Sequence, residues 1–179
     1  MLKFNIQSDV VVNVLSRAEA TLDNPSAMYK DMGEYLESVH KDRFKTSTAP
    51  DGSKWQPNSE MTYLNILGKQ HVNKDGALNR KGINRVMSKR VLVGDGTLMN
   101  SIHYQVSGDL LLVGSNLIYA AIHQFGGTIK PKNKKVLSWK VGDVSIFAKQ
   151  VVIPKREWLG ISIADEAELT NIIEDHVLL

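Results

Sequence analysis

Apolar residues recur along this chain at two spacings, and the change from one to the other outlines its elements. In residues 9–22 they stand at Val11, Val14, Leu15, Ala18 and Leu22, a three-four rhythm that places them on one helical face. Asn24 and Pro25 supply a cap and a first-turn residue for a second helix. Its apolar stripe is Met28, Met32, Tyr35, Leu36 and Val39, with Phe44 near its end at about Lys45. A Met and aromatic stripe at this spacing reads as core. A turn at Pro50-Asp51-Gly52 follows. Residues 58–68, "NSEMTYLNILG", then predict a short helix capped by Asn58 or Ser59 and closed by Gly68.

Periodicity fades after Gly68, and residues from about 69 to 92 read as a long exposed basic loop that orders on assembly. Order returns at Asp95 and Thr97, which cap a single turn carrying Leu98 and Met99. Ile102, Tyr104 and Val106 then alternate with polar residues, "SGD" turns the chain, and Leu110 to Val113 run back as a β-hairpin. Ser115 or Asn116 caps a helix through Ile118, Ala121, Ile122 and Phe125 that Gly126-Gly127 ends. Residues 135–154 predict a second hairpin turning at Gly142-Asp143. Residues 162–177 form an amphipathic helix, begun by Ser162 or Asp165, with Leu169, Ile172, Ile173 and Val177 on its apolar face. The predicted class is α+β: an N-terminal helical hairpin, a small antiparallel sheet of two hairpins, a short central helix and a C-terminal amphipathic helix. A chain of 179 residues without an internal repeat fits one domain spanning 1–179.

Composition narrows the function classes. No run of about 18 apolar residues suggests a spanning helix, and polar residues interrupt the first twenty positions where a secretory leader would carry its apolar block. The chain has no cysteine, which excludes disulfides, thiolate metal ligands and thiol nucleophiles and fits assembly in a reducing cytoplasm. The net charge is +3, but it is unevenly placed. Residues 69–90 hold seven Lys or Arg against Asp75 alone, and residues 130–156 hold eight against Asp143 alone. Residues 157–179 carry six acids and no base. Solvated loops and an acidic surface helix are one reading of this split. The other is a pair of complementary faces, the basic one meeting a neighbour's acidic helix or DNA phosphate.

No constellation points to chemistry. His40, His71, His103, His123 and His176 include no pair four apart around a helical glutamate, so zinc-protease spacing has no foothold. A metal enzyme built on His103 and His123 lacks a third ligand in the sequence. No G-x-S-x-G elbow occurs, and "VGDGTLMNS" has neither the spacing nor the lysine of a phosphate loop. No catalytic residue, metal ligand or cofactor is therefore assigned. Basic segments with Trp139 and His71 nearby leave non-specific DNA contact as the rival to a protein-binding role.

Four blocks carry a family likeness. "DGSKWQPNSEMT" (51–62), "GDGTLMNSIHYQV" (94–106), "VGSNLIYAAIHQFGG" (113–127) and "IPKREWLGISIADEAELTNIIEDHV" (153–177) follow one another over nearly the whole chain. Together they resemble the phage virion morphogenesis proteins, the tail-completion family of Mu-like tailed phages. Glu157-Trp158 stands where proline-phenylalanine is more usual. The resemblance implies a structural protein, not an enzyme, that caps the head-proximal end of the tail and enables head-tail joining. It implies self-association as a ring, often sixfold, and tail tube or terminator and neck or connector proteins as partners. The location expected is the host cytoplasm during assembly and then the virion. In this reading Tyr119, His123, Gln124, Phe125, Gly126 and Gly127 form a structural joint. Tyr119, Ile122 and Phe125 seat the short helix on the sheet, His123 and Gln124 bond backbone, and the two glycines supply positive φ. Lys74, Arg80, Lys81, Arg85, Lys89 and Arg90 are candidate partner or DNA contacts, and Trp55, Arg156 and Trp158 are interface candidates.

Overall fold

A computed structural model describes residues 9–141 and 144–178, and its fold is α+β. Helices α1 (Asp9–Asp23) and α2 (Ser26–Thr46) fall within a residue or so of their predicted bounds. The junction between them is short: Asn24 Oδ1 accepts the Ser26 N–H at 3.4 Å, and the Pro25 carbonyl accepts the Tyr29 N–H. Met28, Met32, Leu36 and Phe44 lie on the buried face of α2 as the stripe requires, and His40 and Arg43 share that face. Helix α2 stops at Ser47, which is left-handed (φ 54°) and returns its N–H to the Arg43 carbonyl.

Helix α3 (Glu60–Ile66) follows, then a 3-10 turn at Lys69–His71 and helix α4 (Arg80–Met87). The stretch expected as a loop is thus folded, though most of it remains exposed. Val72 and Leu78 form a bridge, and Asn79 caps α4 by accepting the Gly82 N–H at 3.0 Å. Gly82 weakens helix propensity and hid α4 from the apolar pattern. In the fold it allows the His71 carbonyl to come within 2.2 Å of where a Cβ would stand.

A single turn, α5 (Thr97–Asn100), leads into strands β1 (Ile102–Ser107) and β2 (Leu110–Ser115), paired antiparallel with Tyr104 opposite Val113. Helix α6 (Ala120–Phe125) is followed by β3 (Gly127–Ile129), β4 (Leu137–Val141), β5 (Val144–Ala148) and β6 (Val151–Ile153). β4 and β5 make the second hairpin, whose turn at Gly142-Asp143 lies outside the described residues. β6 leaves that hairpin to pair antiparallel with β3. Among the described residues the strands therefore make three two-stranded sheets instead of one shared by two hairpins. Strands of three residues are too short to show an alternation, so the β3–β6 pair left no signal in the pattern. Helix α7 (Ile163–Leu178) closes the described chain.

The order of packing differs from a helical hairpin in one respect. α1 packs chiefly on α7, and α7 in turn on α2. The other side of α2 carries the β1–β2 hairpin. There Gly33 is needed for space, because a Cβ at that position would stand 2.3 Å from the Tyr104 ring. The central core consists of Phe44, Ala49, Trp55, Leu98, Ile102, Ala120 and Trp158. Phe44 meets Trp55 edge-on at 5.2 Å and Trp158 at 6.3 Å, separations at which aromatic pairs add to simple area burial.

Candidate functional site

Residues 156–160 form an extended strap through the middle of the molecule, and three groups of polar side chains hold it. The Arg156 guanidinium donates to the Gln56 and Pro57 carbonyls, each at 2.8 Å, while the Trp55 indole donates to the Glu157 carbonyl at 2.9 Å. Gln124 makes a two-sided clamp: its amide donates to the Leu159 carbonyl at 2.7 Å, and its oxygen accepts from the Trp158 and Leu159 N–H groups. From α2, Arg43 donates to the Gly160 carbonyl at 2.6 Å and to Asp165 at 2.7 Å. Trp55, Arg156 and Trp158, proposed for an interface, are thus buried inside this chain. Tryptophan and arginine are as useful for binding a chain to itself as to a partner.

The Arg43–Asp165 pair is the centre of a polar network between α2 and α7. Asp165 also accepts from the Tyr35 hydroxyl at 3.0 Å. It forms a reciprocal cap with Ser162, accepting the Ser162 N–H at 2.7 Å while Ser162 Oγ accepts the Asp165 N–H. Burial pushes the Asp165 carboxyl up, but Ser162, Tyr35 and Arg43 together hold it below its ordinary value. The Tyr35 hydroxyl is pushed up to about 12 by burial and by that carboxylate. His40 sits beside the network, with Nδ1 against the Leu36 carbonyl and Nε2 accepting the Gly160 N–H at 3.2 Å. Burial, then the Arg43 charge, lowers its pKa. Nε2 also lies 3.1 Å from the Gly160 carbonyl, so both ring nitrogens face backbone groups of this chain. Sequence reasoning assigned no role to His40 and Arg43, and gave Tyr35 and Asp165 only a place in the α2 stripe and at the start of the C-terminal helix. The available signal was three polar residues, at 35, 40 and 43, on or beside the buried stripe of α2.

The glycine-ended helix meets the strap at its other side. Ala120 and Gln124 are the buried face of α6, whereas Phe125 is 73% exposed and Tyr119 is half-exposed. Phe125 therefore does not seat the helix, because residues 120 and 124 share one face and 125 lies a further 100° round. Gly126 (φ 69°) turns the chain into β3, and Gly127 follows at φ 156°. A Cβ on Gly126 would lie 2.8 Å from the Lys155 nitrogen. The His123 carbonyl accepts the Arg156 N–H at 2.8 Å, but its ring makes an edge contact with Tyr119 and its buried Nδ1 has no hydrogen-bond partner among the described residues. Burial, then the Arg156 charge, lowers the His123 pKa. His103 bonds instead to the Ser101 carbonyl, on β1. Among the described residues no three His, Asp or Glu converge as a metal site.

His123 opens onto a cleft of about 1230 Å³ between α3 with residues 89–94 on one side and β3 to β6 on the other. Its walls are mainly apolar, including Met61, Leu92, Ile129, Trp139 and Ile146, and four cations line it: Lys89, Arg90, Lys140 and Arg156. No carboxylate does among the described residues. Beyond its rim Lys74, Arg80, Lys81 and Arg85 are exposed, and none of them forms an ion pair among the described residues. Lys89 is held by the Val93 carbonyl, and the Arg90 carbonyl accepts from Asn58 at 3.3 Å.

The buried polar groups are thus spent on internal ties, while apolar side chains and cations line the cleft. The chain belongs to the phage virion morphogenesis family, whose profile matches residues 6–178. Its role is in phage virion assembly. It is similar to the Mu-like prophage FluMu G protein 2 of Haemophilus influenzae, at 35% identity over 88 residues. That alignment covers 49% of this chain and 52% of the relative, so the likeness spans about half the length of each. No solved structure matches the chain. No helix among the described residues is long and apolar enough to cross a membrane.

Proposed function

We propose that this chain is a non-enzymatic structural protein that completes the head-proximal end of the phage tail and makes it competent to join the capsid. It does so as a ring of copies, in contact with the tail tube or terminator and with neck proteins. It assembles in the host cytoplasm and stays in the virion. The observation that carries the reading is the family match from residue 6 to 178, joined to a Mu-like prophage relative. The internal use of His40, Arg43, Gln124, Arg156 and Asp165 supports it, since those side chains serve the fold and not a substrate. Residues 1–179 act as one unit, with the basic segment from about 69 to 92 as a partner-facing surface. The test is deletion of the gene in its parent phage, with electron microscopy of the lysate. Filled heads beside complete, unjoined tails are expected; normal joined virions would refute the role.

A second reading rests on the exposed cations of the 69–90 segment, which have no acidic partner among the described residues. Non-specific contact with DNA in the neck predicts duplex binding that weakens steeply with salt, because each neutralised phosphate releases counterions. Binding that is flat from low to moderate salt would remove this reading.

A further inference from the structure

The cleft beside His123 is apolar and lined by cations, and the opposite combination occurs elsewhere on the same chain. On α1, Val12, Leu15 and Leu22 fall with Glu19 at a three-four-three spacing, a single stripe along the helix. The three apolar members are each more than half exposed. The helix packs on α7 through a different side, where Val14, Ala18 and Thr21 are half-buried and the Thr21 hydroxyl donates to the His176 carbonyl. Asp9, Glu19 and Asp23 outnumber Arg17 on α1, and α7 adds exposed Glu166, Glu168, Glu174 and Asp175. An apolar stripe bordered by acids is therefore exposed on the α1–α7 pair among the described residues.

We infer that the α1 stripe of one copy docks into the cleft of a second copy, with the acids of α1 and α7 facing Lys89, Arg90 and Lys140. Charge complementarity selects this occupant. The cleft has no carboxylate of its own among the described residues, and the α1–α7 surface has a carboxylate excess. Position selects it too: the cleft is built from residues 56–65, 89–94, 123, 129 and 137–156, none of which belongs to α1, α2 or α7. Each copy thus has both halves of the contact at once, on different surfaces. Such a contact is head-to-tail; it closes into a ring when the rotation per copy divides the circle, and otherwise grows as a filament. The exposed apolar side chains gain burial, and the charges set register and exclude α1 from pairing with another acidic α1.

The inference rests on the ring in the proposed function and names the surface that makes it. The natural chain has no cysteine, so single thiols report cleanly. Leu15→Cys on α1 and Ser138→Cys in the cleft are made in separate full-length chains, mixed at the highest soluble concentration and treated with a short bismaleimide. Circular dichroism and melting temperature establish first that both variants fold. A covalent product between the two different variants is expected to predominate. A ladder of higher oligomers is expected from the double variant. Arg90→Glu with Lys140→Glu in the cleft partner should lower the cross-linked yield at least tenfold while leaving the melting temperature near that of the parent. No cross-linked product, a predominant Leu15→Cys product with itself, or an unchanged yield after charge reversal overturns the inference. Unjoined tails in the deletion lysate without the mixed product would leave the function standing and remove this interface. Joined virions together with the mixed product would do the reverse.

Discussion

Gly126 shows what one residue decides here. Its backbone sits at φ 69° and ψ 176°, a region open essentially to glycine alone, and the Lys155 nitrogen occupies the space a Cβ needs. Gly126→Val combines both penalties, so a loss of about 1–3 kcal/mol or more is expected, read by urea denaturation. His40 makes a prediction in pH. Its folded pKa lies below the ordinary histidine value, so the unfolded state binds its proton first. The stability it contributes is complete above about pH 6.5 and is lost as pH falls toward the folded value. His123 has the same sign. Unfolding measured in steps from pH 7.5 to about pH 5 should show falling stability, and replacing His40 with Gln should flatten that slope. Asp165 acts in a lower window, below about pH 4, where protonation removes its contribution.

The long helices were legible because each carries its apolar spacing for several turns, and α2 and α7 also start beside the residues read as their caps. α1, α2 and α7 follow from spacing, and Ser162 or Asp165 as the start of α7 is resolved as a cap in which both take part. Ser162→Ala removes one half of that reciprocal bond, and a cost of about 0.5–2 kcal/mol in thermal or chemical unfolding is expected. Short elements were harder. α4 was masked by Gly82, and β3 and β6 are three residues long and far apart in sequence. The turn after α6 was legible, since a helix ending in two glycines signals a sharp change of direction, but the inward face of that helix was not. Distinguishing Gln124 from Phe125 as the buried residue requires knowing that the Trp158 and Leu159 backbone lies alongside. On α4, reversing the charge of Lys81 and Arg85 should change stability by no more than about 0.5 kcal/mol, because both are exposed and unpaired among the described residues. Their loss should appear instead as impaired assembly, scored by the fraction of joined virions.

At the scale of the molecule, three aromatic rings and the strap hold the parts together. Phe44 is fully buried and touches both Trp55 and Trp158, so Phe44→Ala is expected to cost about 3–5 kcal/mol in chemical denaturation. The stripe of α2 marked Phe44 as core, but nothing in the pattern told that Trp55 and Trp158 join it. The composition signalled two oppositely charged regions, and the fold puts them on separate surfaces. What no periodicity could report is the cleft, since its walls come from segments that are each unremarkable alone. Its lining is a property of the assembled chain.

The strap has a consequence for how the protein comes into being. Its bonds to Trp55, Gln56 and Pro57 join residues about a hundred positions apart, and those to His40 and Arg43 join residues more distant still. During synthesis the side of α2 that meets the strap and α7 therefore stays uncovered until residues 156–165 have emerged, whereas β1 and β2 are available earlier for its other side. Contacts of such long sequence separation make folding slow and the waiting chain prone to association. A fragment stopping before residue 156 should accordingly stay unfolded and sensitive to protease, instead of forming a smaller stable piece. Assembly of the virion then draws on copies that are complete, because incomplete ones have no folded surface to offer.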